Sequence, residues 1–187
     1  MFFLQPNQKR LLNSFNPVIV VLFAVFLILM RTTTDPLFPN FFRHWDLALP
    51  FMVYFGQRRS LAEGMGLALI TSHVFSTFSS APLGVFSVAY LVVFFVARLV
   101  SYAIFANTWI SIFLLMLGLA LLERLLLTFV SGVFGHGWPL FSSGNLGVGA
   151  LLLNGILGYL TYRWLEVLDR MTFKVPRTNI ELSEAGL

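Results

Sequence analysis

The stretch SLAEGMGLALITSHVFSTFSS, residues 60–80, decides how the chain is read. Its small and polar residues Ser60, Gly64, Ala68, Ser72, Ser76 and Ser80 recur every four positions. On a helix that period makes one ridge free of bulky side chains, along which a neighbouring backbone can come close. Leu61, Met65, Leu69 and Phe78 take the other faces. Lipid tails are as apolar as leucine, so helices in a bilayer associate through close packing and inter-helix hydrogen bonds. The ridge therefore predicts a helix at the centre of a membrane bundle.

Composition points the same way. Of 187 residues 58% are hydrophobic and 11% charged, and the mean hydropathy is +0.84, which is implausible for a water-soluble domain. The absence of cysteine excludes disulfides and thiolate chemistry. The net charge of +4 falls on no polar basic surface, so no nucleic-acid partner is expected. The positive charge reads instead as a topology signal.

The expected class is an all-α polytopic membrane protein with six transmembrane helices. Residues 1–16 form a cytoplasmic head, 17–165 the membrane domain and 166–187 a cytoplasmic tail. Span one is the run Pro17 to Met30, near the lower limit for crossing ~30 Å of hydrocarbon, and Asp35 to Arg43 is an aromatic interfacial turn. Span two, about Phe42 to Phe55, is short, with Asp46 near its start and Pro50 in its middle, which predicts a kink or partial insertion. Gln57-Arg58-Arg59 is a charged turn before the ridge helix, span three, which Ser79-Ser80-Ala81-Pro82 ends. Leu83 to Phe105, Trp109 to Val130 and Leu146 to Leu165 are spans four to six, with a Gly-rich loop from Ser131 to Asn145. Ala150, Asn154 and Gly158 repeat the four-residue spacing, making span six a neighbour of the ridge helix.

Six spans with both termini in the cytoplasm leave only Arg31 and Arg43 in the outer loops, whereas Lys9, Arg10, Arg58, Arg59, Arg170, Lys174 and Arg177 lie inside. That asymmetry obeys the positive-inside rule. Within the spans, Arg98 is read as snorkelling to the inner face. Rise per residue puts Glu123, Asn154, His73 and Tyr90 at similar depth, roughly 8 to 12 Å below the outer face, as an intramembrane polar layer. Glu123 and Arg124 are about 100° apart, so one points inward and one outward.

Catalytic constellations are weak. His73 and Ser76 share a helical turn, but no G-x-S-x-G frame accompanies them. His44, His73 and His136 are isolated, no H-E-x-x-H occurs, and Gly132, Gly135 and Gly137 lack the lysine of a phosphate loop. The expectation is a non-enzyme without metal or cofactor.

Trp45 with the apolar helix after it, the basic turn Arg58-Arg59, Gly64 and Gly66, the break ending in Pro82-Leu83-Gly84, and Tyr90 resemble the rod-shape-determining membrane protein family MreD. The likeness runs from about Trp45 to Phe129. The family's ridge helix commonly carries an aspartate where this chain has Ser76, and a family acid in the fifth span is matched by Glu123. The resemblance implies a non-catalytic adaptor of the bacterial inner membrane in the machinery of cell elongation and peptidoglycan synthesis. The partners the resemblance implies are MreC and through it RodA, a class B penicillin-binding protein and MreB. It also implies a six-helix fold like the substrate-binding component of energy-coupling-factor transporters, and such a transporter subunit is the alternative function. Those subunits carry a small-residue stripe on their first helix; Val18 to Met30 holds only Ala24, which favours the adaptor.

Overall fold

The computed structural model describes residues 6–34, 46–78, 84–103, 108–133 and 148–174. These form six helices, α1 (Pro6–Thr34), α2 (Ala48–Arg58), α3 (Leu61–Thr77), α4 (Val85–Ala103), α5 (Trp109–Val133) and α6 (Val148–Met171), with no strand among the described residues. Two are long and apolar enough to cross a membrane, over Asn7–Thr34 and Trp109–Val130, with mean hydropathies of 2.3 and 2.2; Phe86–Ser101 is a shorter apolar helix.

The helix at the centre is α2, not the ridge helix α3. Ala48 to Gln57 is buried on every side, and α2 packs against α3, α4, α5 and α6 and reaches α1 through the Phe23–Phe51 ring contact. The sequence Ala-Leu-Pro-Phe-Met-Val-Tyr-Phe is apolar all round, as a fully enclosed helix requires. Pro50 is the third residue of α2 rather than its middle. Amide groups in the first turn have no intrahelical acceptor, so proline there removes no hydrogen bond. Gly56 lets α2 come close to the α4 backbone: a β-carbon there would lie 2.9 Å from the carbonyl oxygen of Phe94 and 3.1 Å from the β-carbon of Ala97 on α4.

The ridge of α3 does face inward. Gly64, Ala68, Ser72 and Ser76 are buried, while Leu61, Met65, Leu69 and Phe78 are exposed. At Gly64 an added β-carbon would meet the Phe94 ring and the Phe55 carbonyl at 3.0 and 3.1 Å, so the ridge receives α2 and α4. Span six is not its neighbour: α6 packs on α5, α2 and α1. The small residues of α6 serve α5 instead, since a β-carbon on Gly155 would stand 2.6 Å from the Phe113 ring, and one on Gly158 3.3 Å from the Met116 sulfur.

Two boundaries differ from expectation. Helix α1 starts at Pro6, so most of the head is already helical, and α6 runs to Met171, carrying Glu166 and Asp169 within it. Gly84, at φ 99°, opens α4 in a conformation that side chains disfavour. Ser80, the aromatic turn Asp35 to Arg43, Pro82 and Leu83, His44, His136 and the tail beyond Lys174 lie outside the described residues.

Candidate functional site

Both ends of α2 finish inside polar clusters. At the N-terminal end Asp46 Oδ1 accepts from the amides of Ala48 at 2.9 Å and Leu49 at 3.4 Å, satisfying first-turn donors and placing a carboxylate at the positive end of the helix. The Tyr90 hydroxyl of α4 donates to the same oxygen at 3.0 Å. The Asp46 amide donates to Asn154 Oδ1 on α6 at 2.8 Å. Glu123 of α5, only 5% exposed, turns its carboxyl against Asp46 and Tyr90. Three members of the expected polar layer, Tyr90, Glu123 and Asn154, thus meet around a fourth residue, Asp46, that the depth argument missed.

His73 is not among them. Its side chain is exposed, whereas Ser76, one turn on, is 1% exposed, so the edge of the buried face of α3 runs between them. Arg124 is half-buried beside the inward Glu123.

At the other end Arg59, 1% exposed, leads the second cluster. Its Nη2 donates to Asp169 Oδ1 at 2.5 Å and Asn16 Oδ1 at 2.7 Å. Asn16 Nδ2 donates to Asp169 Oδ1 at 2.8 Å and to the Thr172 hydroxyl, and the Tyr54 hydroxyl donates to Asp169 Oδ2. Asp169 therefore accepts from α1, from α2 and from the turn after it, while the buried Nε of Arg59 has no hydrogen-bond partner. Beside it Arg58 donates to the Tyr162 hydroxyl at 3.0 Å and to Glu166 at 2.7 Å, and Tyr162 donates to Gln57 at 2.8 Å. Lys174 lies 2.9 Å from Glu63.

Arg98, read as snorkelling to the inner face, reaches the turn after α2 but stays buried there, and Nη1 donates to the Arg59 carbonyl at 3.0 Å. A cation on carbonyls at a helix C-terminus complements the helix dipole. Arg59 and Asp169 read in sequence as solvated charges near the inner face; nothing in their spacing marked them as buried. A signal was present beside them. Ser60-Leu61-Ala62-Glu63 has the form of a capping box, and Ser60 Oγ accepts from the Glu63 amide at 3.4 Å, so the chain turns sharply at Arg59 and directs its side chain inward.

Among the described residues no group of three or more histidine, cysteine, aspartate or glutamate side chains could hold a metal ion. The clusters join helices: each charge in them is bonded to a different element of the bundle. No protein-family model, no curated protein and no solved structure matches the chain.

Proposed function

We propose that the protein is a non-catalytic, six-span adaptor of the bacterial inner membrane, with both termini cytoplasmic, that holds MreC and through it the wall-elongation enzymes, as the resemblance to MreD implies. The observation that carries this reading is the use of the interior polar side chains. Asp46, Arg59, Arg98 and Asp169 close helix ends and tie α1, α2, α4 and α6 into one body, leaving apolar outward faces on α1 and α5. Such a body offers rigid surfaces to partner helices in the bilayer plane. The charge distribution supports the orientation, since Lys9, Arg10, Arg170 and Lys174 gather at the end of the bundle where α1 begins and α6 stops.

The transporter-subunit reading is favoured by one feature, the N-terminus of the short α2 ending inside the bundle beside Glu123, because half-helix ends of that kind hold substrates in transporters. Affinity purification in mild detergent separates the two. Recovery with a single-pass protein bearing a large periplasmic part supports the adaptor; recovery with transporter ATPases replaces it. Reporter fusions at Leu187 and in the Ser131 to Asn145 loop are expected on opposite sides of the membrane, and a periplasmic C-terminal reporter would overturn the topology.

A further inference from the structure

The inner end of the α1 and α6 pair carries cations that no carboxylate among the described residues neutralises. Its three carboxylates are already held: Glu63 by Arg59 and Lys174, Glu166 by Arg58 and Arg163, Asp169 by Arg59. Lys9, Arg10 and Arg170 are exposed and form no ion pair among the described residues. Lys9 and Arg170 are close in the fold, and Arg10 follows Lys9 on α1. Lys9 Nζ stands 5.4 Å over the Phe173 ring, and Phe173 belongs to the turn that its amide closes on the Arg170 carbonyl at 3.3 Å. Around these charges the surface is apolar and open: Trp164 is 60% exposed, Met171 65% and Phe173 42%, with Leu11 and Phe15 exposed on α1.

A free anion would satisfy the cations and leave the apolar rim in water. A ligand that brings an anionic group joined to hydrocarbon satisfies both. We propose that Lys9, Arg10 and Arg170 bind the phosphate of an anionic phospholipid of the cytoplasmic leaflet, with Trp164, Met171 and Phe173 against its acyl chains. Positive-inside topology needs only charge near the inner face; this surface adds a fixed cation set around one hydrophobic patch, which gives preference for one lipid class. The inference rests on the membrane reading above.

The test uses the full chain in nanodiscs of phosphatidylcholine and phosphatidylglycerol, with bound lipid counted by native mass spectrometry after extraction. Phosphatidylglycerol is expected to be retained over phosphatidylcholine, the preference falling as salt rises. Each of Lys9→Gln, Arg10→Gln and Arg170→Gln is expected to lower it about fivefold, while Arg170→Lys and Arg31→Gln, at the far end of α1, leave it unchanged. Equal retention of the two lipids, or an unchanged preference in the triple glutamine variant, overturns the site. Displacement of phosphatidylglycerol by equimolar inorganic phosphate or an acidic peptide overturns the lipid as its occupant. Failure of the chain to enter nanodiscs of either composition overturns the membrane reading instead, a distinguishable result.

Discussion

Arg98 donates to the carbonyl of Arg59 at 3.0 Å, so one buried arginine closes the C-terminal end of α2 on the backbone of a second buried arginine. The Arg59 side chain in turn is held by the carboxylate of Asp169.

Asp169→Ala removes that acceptor and leaves the Arg59 charge enclosed. Breaking a buried pair from one side costs about 3–5 kcal/mol. Thermal unfolding in detergent should show a large loss for Asp169→Ala and a smaller one for Arg59→Met with Asp169→Leu, where no charge is stranded. Equal losses would mean the pair contributes packing and no electrostatics.

Gly56 and Gly66 should respond to alanine with opposite signs. The new methyl at Gly56 meets backbone of α4 at 2.9 Å, while at Gly66 nothing lies within 4 Å. Overpacking costs about 1–3 kcal/mol, and replacing glycine in an open helix position gains about 0.5–1 kcal/mol. The same unfolding assay reads both.

At Asp46, alanine removes the acceptor for the first-turn amides of α2 at a cost of about 0.5–2 kcal/mol. Asparagine keeps Oδ1 and is expected to retain most of the stability. The contrast between the two variants, rather than either alone, identifies the cap.

The buried ridge makes Ala68→Leu and Ser72→Leu destabilising by about 1–3 kcal/mol, while Leu69→Ile on the exposed face of the same helix changes little. Unchanged melting and unchanged partner recovery for both leucine variants would place the ridge against lipid.

For the adaptor role, His73→Ala and Glu123→Ala should weaken partner recovery by degrees, since inter-helix hydrogen bonds in membranes average about 0.6 kcal/mol, whereas Ser76→Ala should change little, because its buried hydroxyl has no hydrogen-bond partner. Loss of a measurable turnover in one of them, with the complex intact, would make the protein an enzyme.

The α3 ridge was legible because a period of four on a helix fixes which residues share a face, and the faces came out as the pattern requires. How many neighbours a helix has is not written in its own periodicity. That is why α2, eleven residues long with an aspartate and a proline at its start, looked like the weakest span and lies at the centre. Depth from rise per residue brought Tyr90, Glu123 and Asn154 to one level correctly, but rise carries no information about azimuth, and His73 points away from them. Arg59 was opaque for a related reason: a charge at a turn looks solvated until the partner from another helix, 110 positions away, is placed beside it.

The brevity of α2 also bears on how the protein is made. Eleven residues rise about 16 Å, roughly half of a ~30 Å hydrocarbon layer, so the segment is too short to cross a bilayer by itself. Asp46 and Tyr54 find their polar partners 108 and 115 positions later in the chain. Earlier partners exist, Tyr90 on α4 among them, but the polar contacts at both ends of α2 are completed only by the last helix, so the centre of the fold is closed by the part of the chain that is made last.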